Sequence, residues 1–129
     1  ARLNHLNHLI RPALARGAWV VCDRYYDSTR AHQVAAGGLK PEALDTLNAL
    51  IEAPAPDRTF VLDLDADAGL ARSQGRHAGE DRFEKKAAAF HARVRAEFLA
   101  IAAREPERCT VLDASKPAAE VLAAALAAL

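Results

Sequence analysis

The sequence predicts an α/β fold built on a parallel sheet, and three observations carry that prediction. Short, largely apolar runs recur at Ala18–Cys22, Thr59–Leu64 (interrupted near its end by Asp63) and Cys109–Leu112. Such runs read as buried parallel strands, because helices covering both faces leave no apolar–polar alternation. Between the runs lie segments whose apolar residues recur every three or four positions, the helical period. Each run is followed by polar groups: Asp23-Arg24-Tyr25, then Asp63 and Asp65, then Asp113-Ala114-Ser115. Acidic and basic side chains therefore gather on one rim, beyond the carboxyl ends of the strands, where sheets of this kind bind ligands.

Taken in order, Leu3, Leu6, Ile10, Ala13 and Leu14 share one face of a helix that stops at Gly17, with Pro12 predicting a kink or break. The strand 18–22 follows. Ser28 can cap a short helix that ends at Gly37-Gly38, and Pro41 suits the first turn of another reaching about Glu52. Ala53-Pro54-Ala55-Pro56 is a rigid connector into the strand 59–64. Asp65 or Asp67 caps a helix reaching about Gly75. Phe83, Phe90, Val94, Phe98 and Ile101 then mark a long helix of about five turns. After the strand 109–112, Ser115 and Pro117 start a last helix, with Val121, Leu122, Leu126 and Leu129 facing inward.

The 129 residues suit one domain, spanning 1–129. Lys plus Arg and Asp plus Glu balance at 17 each, so nothing suggests a polyanion-binding surface or a nucleic-acid partner. The basic residues are mostly arginines, whose planar forks grip phosphate bidentately. Cys22 and Cys109 lie inside apolar runs and read as buried reduced thiols, which points to the cytoplasm. No apolar run approaches the roughly 20 residues of a membrane span, so no membrane partner is expected. The chain starts Ala1-Arg2-Leu3, without Met and already in helical register, like a sequence cut in mid-element. Its five histidines form no zinc-like spacing with the cysteines.

Asp23-Arg24 is the sharpest chemical signal. A carboxylate at a strand end beside a phosphate site can hold Mg²⁺ through its waters, and an adjacent arginine can neutralise a phosphoryl group. A structural ion pair or a helix cap would explain the dipeptide equally well. The longer string Asp23-Arg24-Tyr25-Tyr26-Asp27-Ser28-Thr29-Arg30-Ala31-His32-Gln33, closed by Gly37-Gly38, resembles the thymidylate kinase signature, Asp-Arg-Tyr/His followed by Ser-x-x-Ala-Tyr-Gln. His32 stands where the family usually has Tyr. Arg11-Pro12-Ala13-Leu14-Ala15-Arg16-Gly17 resembles the Lys-Pro-Ala-Leu-x-x-Gly that precedes the family's third strand, and the resemblance extends over essentially the whole chain.

That resemblance implies a three-layer P-loop-kinase-type parallel sheet and phosphoryl transfer from ATP to dTMP, with Mg²⁺ and ATP as cofactor and co-substrate. By the same match Arg24 holds the acceptor phosphate and is catalytic, and Asp23 serves the metal through water. Tyr25, Ser28, Thr29, His32 and Gln33 bind base and sugar, and Arg2 binds the base. Arg76 and Arg82, in a lid at about 75–83 that contains Gly75 and Gly79, are the catalytic candidates there; Arg72 falls on the preceding helix. Without the resemblance that stretch reads as a solvated connection whose arginines pair with Glu80 and Glu84. Asp113, Ala114 and Ser115 resemble the loop lying against adenine, with Arg76 on the ATP side; a plain helix cap also explains Ser115. The family is usually dimeric, so a homodimer is implied.

No Gly-x-x-x-x-Gly-Lys-Ser/Thr string occurs in the sequence, so the sheet is expected to be incomplete, with three of the family's five strands, and this polypeptide to be inactive alone. In the family's strand order, 2-3-1-4-5, strand 18–22 would lack both neighbours. The expectation is that it is marginally folded or pairs directly with 59–64. Another P-loop nucleoside or nucleotide kinase, and a non-catalytic remnant, are the rival readings.

Overall fold

A computed structural model describes residues 2–65, 67, 68, 71 and 81–129, the side chains of 2 and 81–85 apart. The first apolar period folds as helix α1 (Arg2–His5), a π-helical turn (Leu6–Ile10) and helix α2 (Arg11–Ala15). The predicted break has a definite form. Proline cannot donate to a helical ladder and crowds the carbonyl four residues earlier; the wider turn, closed by the Arg11 N–H on the Leu6 carbonyl, precedes it. Leu6 and Ile10 are buried, whereas Leu3 and Leu14 remain exposed. Gly17 (φ 76°) ends the segment in a Schellman motif, Ala18 N–H donating to Ala13 O at 3.0 Å and Gly17 N–H to Leu14 O at 2.9 Å.

Helix α3 (Tyr26–Ala35) and helix α4 (Pro41–Leu50) follow. Helix α3 starts two residues before the expected cap, so Ser28 lies inside its first turn and is buried there beside Asp27. It ends in a second Schellman motif at Gly37 (φ 69°), where Gly38 N–H donates to Gln33 O. The Arg93 Nε–H adds a bond to the Ala35 carbonyl, 3.0 Å away. Helix α4 has Pro41 at its start and is closed by Glu52 in the left-handed region (φ 48°). Arg11 reaches across to the Ile51 and Glu52 carbonyls at 2.8 and 3.0 Å, joining α2 to the end of α4.

Strands β1 (Thr59–Asp63) and β2 (Cys109–Asp113) pair in parallel, Val61 opposite Val111. Helix α5 (Asp81–Arg104) connects them, 24 residues long and longer than the expected five turns; helix α6 (Ala118–Ala127) follows β2. A crossover helix between parallel neighbours is the βαβ unit that the alternation of runs and helical periods predicts. The core lies where α3 and α5 meet the sheet: Ala31 and Ala35, Val94, Ile101 and Ala102, and Val61 and Cys109, with Phe90 and Phe98 packed against them.

The α/β class and the parallel pairing match the sequence reading, but the strand count does not. Among the described residues, 18–22 join no ladder and the sheet is two-stranded. Trp19 is 84% and Val21 96% exposed, and Cys22, expected to be buried, is exposed too, while Cys109 is buried. An apolar run becomes a strand only when a neighbouring strand takes its N–H and C=O groups, and among the described residues no strand does, β1 included. Leu122, Leu126 and Leu129, expected inward, are each more than half exposed.

Candidate functional site

Segment 18–22 leads directly into the turn that carries the predicted site. Arg24 sits at φ 64°, in the left-handed region that side chains other than those of Gly, Asn and Asp seldom enter. Its carbonyl accepts the Cys22 thiol hydrogen at 3.4 Å. Tyr25 then precedes the first turn of α3 without a side-chain cap. Because α3 leaves that turn with a period of 3.6, Ser28, Thr29, His32 and Gln33 fall along one side of it.

Together with Arg24, Tyr25 and His5 of α1 they line a cavity of about 490 Å³. One guanidinium, three hydroxyls, an amide and two imidazoles surround it, and no carboxylate is among the lining residues. The donor set and the amino end of α3 favour an anion with polar appendages. The His32 ring is fixed: its Nδ1–H donates to the Ser28 carbonyl at 2.7 Å, and Phe90 and Phe98 stand 6.3 and 6.1 Å from its centroid. In the neutral ring Nε2 is then the acceptor. Gly38 lies close enough to Gln33 that an added Cβ would stand 3.3 Å from Oε1, so the small residue there makes room for that amide.

Of the residues singled out in the sequence, Arg24, Tyr25, Ser28, Thr29, His32 and Gln33 come together. Asp23 is exposed and is not among the cavity's lining residues. Arg2 lies in α1 and Arg82 in α5, but their side chains, and Arg76 with most of the lid, lie outside the described residues. Asp113, Ala114 and Ser115 form a tight turn after β2, Asp113 Oδ1 accepting Ser115 N–H at 3.0 Å and Oγ–H at 2.5 Å. Those bonds hold the Asp113 carboxyl below the usual range. The acidic end of β1 is committed elsewhere: Arg95 grips Asp63 at 2.7 and 3.0 Å and reaches Asp65 at 3.2 Å, and this hydrogen-bonded partner depresses the Asp63 pKa.

Two features escaped the sequence reading. His5 joins the cavity; its position three residues after Arg2, on the same helical face, was the available signal. The second is a buried ionic cluster. Arg108, just before β2, binds both carboxylate oxygens of Asp27 at 2.7 and 3.0 Å, the Thr59 hydroxyl at 2.7 Å and Glu105 at 2.7 Å. Its guanidinium lies 5.5 Å from the centroid of the Tyr26 ring. The side chains of Arg108 and Asp27 are only 12% and 7% exposed. The hydrogen bond to Asp27 raises the Arg108 pKa, and the Arg108 hydrogen bond lowers that of Glu105. Nothing local in the sequence links residues 27 and 108.

Two parallel strands joined by a crossover helix, with a cationic, hydroxyl-lined pocket at the entry to α3, define an α/β protein with a site suited to a phosphorylated ligand. The family model described as thymidylate kinase matches residues 1–125. The thymidylate kinase of Rhodopseudomonas palustris (strain TIE-1) is 50% identical over 127 residues, covering 94% of this chain and 54% of that protein. That of Methylococcus capsulatus is 48% identical over 122 residues, covering 94% of this chain and 58% of that protein. The crystal structure of thymidylate kinase from Ehrlichia chaffeensis superposes with a TM-score of 0.71 at 30% identity, over 98% of this chain and 57% of that one. The chain belongs to the thymidylate kinase family. It spans about half the length of the curated relatives it matches.

Proposed function

We propose that these residues form the dTMP site and lid of a kinase that transfers a phosphoryl group from ATP to dTMP, giving dTDP. The observation that carries the reading is the single cavity joining Arg24, at its left-handed turn, to Ser28, Thr29 and Gln33 on the first turns of α3. Backbone held in a sparsely populated region costs energy that a functional geometry can justify.

In this reading Arg24 holds the dTMP phosphate and neutralises charge as the new phosphoryl group arrives. The hydroxyls and the Gln33 amide, with Tyr25 and His32, orient sugar and base, and Arg2 adds a base contact. The nucleophile is a phosphate oxygen, ionised at neutral pH because a phosphate monoester has its second pKa near 6. No general base is needed, which agrees with a cavity lined by no carboxylate. What the protein supplies is alignment and charge stabilisation. The lid arginines Arg76 and Arg82 complete that stabilisation on closing, and Asp113, Ala114 and Ser115 lie toward the adenine.

Mg²⁺ would neutralise the ATP phosphates. The donor set fits an ion that keeps most of its waters: Asp23 offers one exposed carboxylate, and among the described residues no group of three or more ligating side chains gathers. The ATP-phosphate cradle is not assigned to any residue of this sequence. A homodimer follows from the family alone, and the two free thiols suit a reducing cytoplasm.

Titrating the chain with dTMP, dUMP, dCMP and thymidine tests the assignment. The expected order puts dTMP tightest, with thymidine weaker for want of a phosphate on Arg24. Equal or tighter binding of dCMP would make the chain part of a different nucleotide kinase.

A further inference from the structure

The buried cluster around Arg108 does not touch the cavity, yet it holds the element that forms it. Asp27, its partner, is the second residue of α3 and the immediate neighbour of Ser28. Among the described residues, 18–22 pair with no strand, and the fixed element adjoining the Arg24 turn lies on its downstream side, in α3. The first turn of α3 is in turn fixed to the sheet by Arg108, whose fork spans Asp27 of α3 and Thr59 of β1. The backbone continues the connection, Thr59 N–H donating to the Arg108 carbonyl at 2.9 Å.

A buried ion pair is a poor source of net stability, because desolvating two charges offsets most of their attraction. What such a pair does provide is a single geometry, and a planar fork with both carboxylate oxygens engaged permits little else. The strained backbone at Arg24 needs surroundings that over-determine it, and the clamp three residues downstream supplies them.

We propose that Arg108 is a positioning residue for the acceptor site: through Asp27 it sets the first turn of α3, and with it Arg24, Ser28 and Thr29. The inference rests on the dTMP reading for the identity of the ligand, but not for the existence of the clamp.

The test is a double-mutant cycle on the full chain with Arg108→Met, which keeps the apolar stem, Asp27→Asn, which keeps the shape, and the double variant. Arg108→Lys serves as the milder variant should the others not fold. Each single variant should weaken dTMP binding about fivefold or more. The double variant should be no weaker than the worse single, because the two residues act as one unit. Amide exchange should quicken at residues 27–33 while 61–62 and 111–112 stay protected. Affinity within twofold of wild type, losses that multiply in the double variant, or unfolding of every variant including Arg108→Lys would overturn the proposal. If the wild-type chain fails to bind dTMP, the functional reading falls and exchange decides the clamp. Faster exchange at 27–33 in the variants then supports it, and unchanged exchange refutes it.

Discussion

A non-glycine residue held at φ 64° sets the character of the candidate site. Arg24 is exposed, with no burial to repay its backbone strain. If the position is kept for its guanidinium, glycine should be the better residue for folding and the worse one for binding. Arg24→Gly is expected to raise stability by about 0.5–1 kcal/mol in a urea melt, the left-handed strain relieved less the extra entropy of glycine. A loss of stability would mean that the Arg24 side chain holds the fold rather than the ligand. At this scale the sequence was readable where function and local chemistry coincide. The string from Asp23 to Gln33 named six of the seven residues that line the cavity. It could not name His5, since that residue arrives from another helix, nor the Asp27–Arg108 pair, whose members are 81 positions apart.

Among the elements, hydrophobic period located helices and strands well, and failed where the outcome depends on a partner. Thr59–Asp63 and Cys109–Asp113 are apolar runs that found each other; Ala18–Cys22 is a run of the same kind that pairs with neither. The same holds for α6, whose Leu122 and Leu126 follow the helical period but remain exposed. Pattern states what an element can bury, and only the neighbouring chain decides whether it does.

What fastens the elements is in part ionic, and this has a pH signature. Arg95 holds Asp63 below its ordinary value, tying α5 to β1, and Arg108 does the same to Glu105. Carboxyls depressed in the folded state stabilise it fully above their unfolded pKa of about 4, and that contribution is lost as pH falls through the lower folded values. The melting temperature should therefore decline below about pH 4, and Arg95→Met should flatten the decline by removing the Asp63 share. An acid limb identical in wild type and Arg95→Met would show that the pair contributes nothing. Being partly exposed, it should also weaken with added salt.

For the whole molecule, the described structure is a two-stranded sheet with a well-formed core on α3 and α5 and a set of large apolar side chains left in solvent, Trp19, Val21, Leu50 and Leu62 among them. The core and the site share α3: Ala31 and Ala35 face inward from the same helix whose first turns present Ser28 and Thr29 to the cavity. Packing of α3 and the clamp at Asp27 thus fix the geometry of the cavity. The central claim is that this geometry brings Arg24 to the phosphate of a thymidine nucleotide. Calorimetric titration of wild type and Arg24→Ala with dTMP and with thymidine tests it most directly. The account predicts that wild type prefers dTMP by tenfold or more, about 1.4 kcal/mol, and that Arg24→Ala abolishes this preference while leaving thymidine binding unchanged. A preference for dTMP that survives in Arg24→Ala would contradict it.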